Sequence, residues 1–353
     1  MIAAPAAPVV RMSVGPTRLI SADFGYTVAY RSVSRGFHLR TAIGLFLYEN
    51  GTWRKITPPR LDANQIDDVA FVDREHGWVA AYNCGEARVH LYRTNDGGRS
   101  WQRLGRPATH SCGGGPTWLS FPDTEHGWME PVSPNAPGGE LLTTSDAGDT
   151  WSSLSSFSGP GSSLPCLSPV EFVSASTGWM ARCRNRLFTT NDGGRSWANI
   201  RMEVPGPSGD RLHDLPRFFG SEGVEATTIG AGAVAFSTSD DGGLMWSERA
   251  VRPVPSCSPQ TGLPFPSSWP AGVASPSVWW IVARGRVQRT SDAGRHWVSV
   301  AAHGLPTQPC VNEVSVADTR TAWVVVPYGG HDDAALFQTH DGGRSWSRVA
   351  LLG

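Results

Sequence analysis

The 353-residue chain contains no segment patterned as an amphipathic helix and no apolar run approaching the length of a bilayer-spanning helix. It also lacks a dominant charge. Thirty Lys+Arg stand against 31 Asp+Glu, a net charge of −1, so no global field draws the chain to nucleic acid or to an anionic membrane. Its six cysteines include no C-x-x-C pair, which argues against a zinc site, and its ten histidines show no ligand spacing. No metal or other cofactor is therefore expected. A Gly-rich phosphate loop and a nucleophile elbow are both missing. The opening MIAAPAAPVV is too short and too rich in proline for a secretory apolar core.

What the chain has is repetition. TNDGGRSW stands at 94–101 and again, letter for letter, at 190–197. Looser copies are TSDAGDTW at 144–151, SDDGGLMW at 239–246, TSDAGRHW at 290–297 and THDGGRSW at 339–346; FLYENGTW at 46–53 is a decayed form. The shared pattern, Ser/Thr-x-Asp-x-Gly-x-(Ser/Thr)-Trp, is called the box below. Its aspartates are Asp96, Asp146, Asp192, Asp241, Asp292 and Asp341. The closing tryptophans Trp53, Trp101, Trp151, Trp197, Trp246, Trp297 and Trp346 are separated by 48, 50, 46, 49, 51 and 49 residues. A second signal runs in phase: HGWVAAY at 76–82, HGWMEPV at 126–132, TGWMARC at 177–183 and TAWVVVP at 321–327. A catalytic motif occurs once; a motif that recurs at a fixed period marks architecture.

Within the second unit, DDVAFVD (67–73), WVAAY (78–82), RVHLYRT (88–94) and SWQRL (100–104) alternate apolar and polar residues and are punctuated by REHG and NDGG turns. Four short antiparallel strands per 49-residue unit make one blade, and blades bury their faces only against neighbours in a ring. The expected fold is all-β, a seven-bladed β-propeller over 17–353, preceded by an extension over 1–16 in which 8–14 is strand-like. The box chemistry is structural. Asp accepts hydrogen bonds from its own turn, Gly takes positive φ, the hydroxyl ties the two arms, and Trp wedges between blades while its N–H finds a partner. Six equivalent nucleophiles would make no chemical sense. His76 and His126 occupy the same repeat position and are read as turn residues.

This pattern resembles the Asp-box, or bacterial neuraminidase repeat. The pairing of F-x-D-x-x-x-G-W with T-x-D-G-G-x-S-W is most similar to the photosystem II stability/assembly factor family and its bacterial relatives, and more distantly to sialidases. The resemblance spans about residues 17–351 and implies a propeller used as a scaffold, receptor or glycosidase. A sialidase would need an arginine triad, a Tyr/Glu pair and an Asp acid/base. Here VGPTRLIS (14–21) offers Arg18 without the flanking aromatic and proline, and Tyr328 is the one loop tyrosine.

Strand order places the box turns at one end of the ring, the bottom, and the links between blades at the top. Cys84, Cys112, Cys166, Cys183, Cys257 and Cys310 all map to the top, where their even number points to disulfides and an oxidising compartment. The expected location is extracellular or on the cell-envelope side, with a leader removed and replaced by the initiator Met; a cytoplasmic thiol protein is the alternative. Top-face segments carry the candidate ligand residues Arg182, Arg184, Arg186, Arg211, His213, Arg217, Phe218, Trp269 and Tyr328. Arg31, Arg35 and Arg40 add to the basic set. Arginines with aromatics over a propeller mouth suit capture of a protein or carbohydrate ligand by a monomeric, non-enzymatic scaffold. A sialidase-like glycoside hydrolase is the alternative, with carboxylate candidates Asp62, Asp67, Glu130, Asp210, Asp214, Asp332 and Asp333.

Overall fold

The computed structural model describes residues 9–35, 38–61, 63–86, 88–105, 117–130, 141–154, 169–182, 186–200, 211–229, 232–254, 270–307, 311–327 and 333–352. Among these residues there are seven antiparallel sheets and no helix. Blade 1 holds β1 (Val9–Ser21), β2 (Phe24–Arg35), β3 (His38–Glu49) and β4 (Thr52–Lys55); blade 2 holds β5 (Gln65–Phe71), β6 (Gly77–Asn83), β7 (Arg88–Thr94) and β8 (Gln102–Arg103). Blade 3 holds β9 (Trp118–Ser120), β10 (Gly127–Glu130), β11 (Leu141–Thr144) and β12 (Ser152–Leu154); blade 4 holds β13 (Val170–Phe172), β14 (Gly178–Arg182), β15 (Arg186–Thr190) and β16 (Ala198–Ile200). In blade 5 the first strand is split by Pro216 into β17 (Arg211–His213) and β18 (Arg217–Phe219), and both pair with β19 (Glu222–Ile229), which β20 (Ala233–Ser239) and β21 (Ser247–Pro253) follow. Blade 6 holds β22 (Ala271–Val273), β23 (Trp279–Ala283), β24 (Arg286–Thr290) and β25 (Val298–Ala301); blade 7 holds β26 (Glu313–Val316), β27 (Ala322–Pro327), β28 (Ala334–Thr339) and β29 (Ser347–Arg348). The repeat period thus corresponds to a seven-bladed β-propeller. β1 begins at Val9, so the strand expected over 8–14 is the first half of β1, and the boundary expected at residue 16 falls inside that strand.

Each box closes the hairpin between third and fourth strands. In blade 2 the Thr94 hydroxyl donates to Asp96 Oδ1 (2.8 Å) and accepts the Gly98 N–H (2.8 Å), while Ser100 donates its N–H to Oδ1 (2.8 Å) and its hydroxyl to Oδ2 (2.6 Å). Gly98, at φ +77°, lies so close to Ile56 of blade 1 that an added Cβ would sit 2.7 Å from it. Where the second hydroxyl is replaced, His296 Nδ1 takes its place against Asp292 Oδ2 (2.6 Å), and at Met245 no side chain does, leaving Asp241 with the Ser239 hydroxyl and the Leu244 and Met245 N–H groups. The decayed copy is a two-residue Asn50–Gly51 turn with both φ values positive. Each box also docks on the first turn of its own blade, as in Gly97 N–H to Glu75 O (2.8 Å), so both turns share the bottom end. His76 and His126 are turn residues, their Nδ1 atoms on Asp73 and Asp123.

Closing tryptophans wedge between blades as expected where Trp101 donates its N–H to Ile56 O of blade 1 (2.7 Å) and Trp297 packs on Phe236 of blade 5; at three junctions another tryptophan makes the larger contact. The tryptophan of the second strand, not the closing one, stacks face to face on the next blade's first-strand phenylalanine. Trp78 lies 3.8 Å from Phe121, Trp128 3.7 Å from Phe172 and Trp179 3.9 Å from Phe218. Trp151, Trp197 and Trp246 meet those phenylalanines edge-on and return their N–H to a glycine carbonyl of their own box. Trp128 Nε1–H donates across the gap to Gly193 O of the next box (3.0 Å). Blade 1 and blade 7 close the ring without exchanging strands. Leu19 N–H donates to Ser315 Oγ (2.8 Å), and Trp323 packs against Tyr48 and Trp53.

Two tests follow from this packing. Trp128→Ala removes a buried indole, its stack and its N–H bond, and is expected to cost about 3–5 kcal/mol in chemical denaturation, against a smaller loss for Trp128→Phe. Hydrogen bonds from Ser100, Thr150 and Ser196 hold Asp96, Asp146 and Asp192 at about 2, below the ordinary value of about 3.9. Their contribution to stability is present above the ordinary value and lost as pH falls toward 2. A melting profile across that window is expected to drop for the wild type and to drop less for Asp192→Asn.

Candidate functional site

The register of the first strands fixes what faces the axis. In every blade one first-strand residue pairs with the tryptophan position of the second strand. These pairs are Arg18–Tyr26, Ala70–Trp78, Ser120–Trp128, Glu171–Trp179, Arg217–Val224, Gly272–Trp280 and Ser315–Trp323. Four of the seven are small, which leaves the channel room for the three long charged side chains. Two residues earlier, on the same face by the two-residue period, come Asp68 and Glu313. A β-bulge at Asp67 also turns that carboxylate inward.

The charged residues among these, Arg18, Asp67, Asp68, Glu171, Arg217 and Glu313, line a cavity of about 380 Å³ together with Tyr26, Trp118, His213 and Asp214. Most come from the N-terminal ends of first strands, at the end of the ring away from the boxes. A second cavity of about 450 Å³ lies on the box side between blades 5 and 6 and is lined by Met245, Arg249 and Arg295. The channel cavity holds the concentrated charge.

Its electrostatics are uneven. Arg18 Nη2 reaches Glu171 Oε1 across the channel at 2.6 Å, with the two side chains 42% and 26% exposed. Glu171 raises the Arg18 value above its ordinary one. Burial pushes Glu171 upward, but Arg18 and Arg217 together hold it below the usual carboxylate value. Burial, and then Arg18, lowers Arg217. Burial raises Asp68 to about 7, against the pull of the Leu119 and Val69 N–H groups, at 2.9 and 2.8 Å. Burial, and then Asp214, raises Glu313 to about 8. Among the described residues the Arg217 and Glu313 side chains make no hydrogen bond or ion pair, though each lies in the other's field. Tyr26 is turned away from chemistry, its hydroxyl donating to Val69 O of the next blade and its value raised by burial. Behind the wall, His213 Nδ1 meets the fully buried Glu225 (2.9 Å), and Thr227 donates to the same carboxylate (2.7 Å). His213 therefore presents Nε2 to the cavity.

Of the residues proposed from sequence, His213 and Arg217 meet in this cavity with Arg18, Asp67 and Asp214. Phe218 lies between Trp179 and Trp246 as inter-blade packing. Arg182 and Arg186 pair across β14 and β15, and Arg186 is exposed away from the channel. Arg211 pairs with Ile229 in β17. Arg184, Trp269, Tyr328, Asp62, Asp210 and Asp332 lie outside the described residues. Glu130 is buried in β10, and Asp333 accepts the Met12 N–H. Among the described residues two arginines, not three, line the cavity. Sequence reasoning missed Asp68, Glu171 and Glu313. The available signal was a carboxylate at the axis-facing position of a first strand, where the repeat otherwise places Ala, Ser or Gly. Cys84 is disulfide-bonded; the other five cysteines lie outside the described residues.

Fold and site together define a seven-bladed propeller with a charged pocket in its channel. No family model matches the chain, and no curated protein does. Among solved structures it is similar to YCF48 from Cyanidioschyzon merolae, with a TM-score of 0.56 and 17% identity over 95% of this chain and 99% of that one. It is also similar to YCF48 bound to D1 peptide, at 0.50 and 20% over 82% of each chain. A prolyl endopeptidase gives 0.58 at 11% identity, covering 96% of this chain and 50% of that one. At these identities the likeness is one of fold. No helix among the described residues is long and apolar enough to cross a membrane.

The raised carboxyls make a pH prediction. Asp68 and Glu313 bind a proton more tightly folded than unfolded, so the stability they contribute is full below about pH 4 and declines as pH rises to about 8. Melting temperature is expected to fall between pH 5 and pH 8. In the Asp68→Asn/Glu313→Gln double variant that fall should flatten; an unchanged slope would remove these groups as its cause.

Proposed function

We propose that the chain is a non-enzymatic binding or assembly scaffold that takes a segment of a protein partner into the channel mouth, on the face opposite the boxes. The observation that carries this is that the Arg217 guanidinium and the Glu313 carboxyl, which burial keeps protonated up to about pH 8, line one cavity with no side-chain hydrogen bond or ion pair among the described residues. A half-buried guanidinium and a half-buried carboxyl that lack partners are incompletely compensated, and a ligand that supplies an anionic group at one end and a hydrogen-bonding group at the other relieves that cost. A peptide segment has both kinds of group along its backbone and side chains. The fold likeness to YCF48, a photosystem II assembly factor with one structure described as bound to D1 peptide, supports a peptide rather than a glycan as the ligand. The disulfide at Cys84 supports an extracellular or cell-envelope location.

A second reading, a glycoside hydrolase, is favoured by one observation: Asp68 and Glu313 share a cavity and hold protons near neutrality, as a general acid requires. One experiment separates the two. Partner recovery from the source lysate is compared for the wild type and for Arg217→Ala/Glu313→Gln, alongside assays on aryl glycosides, sialosides included. The scaffold reading expects about a tenfold loss of recovery and no turnover. Unchanged recovery from a variant with native melting overturns it, and turnover abolished by Asp68→Asn transfers the cavity to the hydrolase reading.

A further inference from the structure

Blade 1 is taller than the rest. β2 and β3 run 12 residues each, whereas the second and third strands of the other six blades run four to eight. At about 3.4 Å per residue, roughly four extra residues carry the tip of this sheet about 14 Å beyond the described strands of the other blades, at the end opposite the boxes.

Among the described residues no strand covers the outer edge of that tip. β4 ends at Lys55 and Pro58–Pro59 follow; proline has no N–H with which to continue a ladder. The last outer-side bonds on β3 are Leu45 N–H to Thr57 Oγ1 (2.9 Å) and Ile56 N–H to Leu45 O (2.8 Å). They show which way Leu45 faces. Antiparallel alternation then turns the N–H and C=O of Ile43, Thr41 and Leu39 to the same outer side, while Gly44, Ala42 and Arg40 bond to β2. No described strand pairs with those outward groups. The inner edge is already engaged, since Met12 N–H of β1 donates to the Asp333 carboxylate (2.9 Å).

Charge selects the occupant. Residues 24–48 contain no Asp or Glu. The pairs Arg31–Ala42 and Val33–Arg40 put Arg31 and Arg40 on one face of the tip. An open edge on a soluble sheet is a template for strand addition, and basic side chains beside it repel a basic strand and attract an acidic one.

We propose that the β3 edge over 39–43 docks an extended, acidic segment of a protein partner, which adds to blade 1 as a further strand with its carboxylates against Arg31 and Arg40. This site is separate from the channel cavity and does not depend on what the cavity binds.

A random octapeptide phage library is selected on the full chain and counter-selected on Thr41→Pro. That variant removes one outward N–H and leaves the β2 ladder intact, because Thr41 does not bond to β2 through its backbone. Thr41→Val serves as control, keeping the N–H and losing only the Ser32–Thr41 hydroxyl contact of 2.9 Å. The expected result is enrichment of acidic, β-branched peptides that bind wild type and Thr41→Val alike and bind Thr41→Pro at least about tenfold more weakly. Their affinity should fall with salt and with Arg31→Ala/Arg40→Ala, and stay unchanged in Arg217→Ala. Peptides that bind Thr41→Pro as well as wild type, or that are not acidic, overturn the proposal. So does a dimer, seen by light scattering, that Thr41→Pro converts to monomer, since the edge would then belong to a second copy of the chain.

Discussion

The ring depends on one contact, the stack of a second-strand tryptophan on the first-strand phenylalanine of the following blade. A four-stranded blade has two apolar faces and cannot cover either alone. Trp78, Trp128 and Trp179 supply the cover at three successive junctions, and at the last two of these the ring planes lie within 6° and 20° of parallel. At the first two of these junctions the next box accepts the indole N–H, so that the hairpin turns of blades 3 and 4 serve their own blade and the one before it. The glycine of the second strand is tied to the same contact. A Cβ on Gly127 would sit 2.3 Å from the Phe121 ring, and one on Gly178 2.6 Å from Phe172.

Because the stacks hold the blades edge to edge, the first strands are forced around a narrow axis, and their inward side chains become neighbours. Arg18 and Glu171 are 153 residues apart in the chain and 2.6 Å apart in space. Small residues at four of the seven axial positions leave room in the channel, and charged residues at the remaining three line its cavity. Acidic groups outnumber basic ones there, which is why burial raises Asp68 and Glu313 while Arg18 keeps Glu171 low. The lining of the cavity is therefore concentrated in charged side chains.

The largest departures from the repeat lie in blades 1 and 5. Blade 1 has traded its box for an Asn–Gly turn and has grown taller, and its fourth strand is cut short by Pro58–Pro59. Blade 5 has split its first strand, replaced the box hydroxyl with Met245 and placed both His213 and Arg217 on the channel. Both blades that break the pattern contribute surfaces with unsatisfied groups: the β3 edge in one, Arg217 in the other.

The sequence by itself determined the blade count, the strand order within a blade and the end of the ring at which the boxes lie, because the box and the second-strand signal are local patterns repeated at a fixed period. It also pointed to His213 and Arg217, whose segment breaks that period. Only the tertiary structure decided which tryptophan forms the wedge, since both types are apolar residues beside a turn and differ only in what the neighbouring blade presents. It alone decided that Arg18, Asp68, Glu171 and Glu313 share a site, because they come from four different blades and meet only when the ring closes. And it moved Phe218 from the candidate ligand residues to the packing between blades, because an aromatic at the end of a first strand faces the adjacent tryptophan and not the channel.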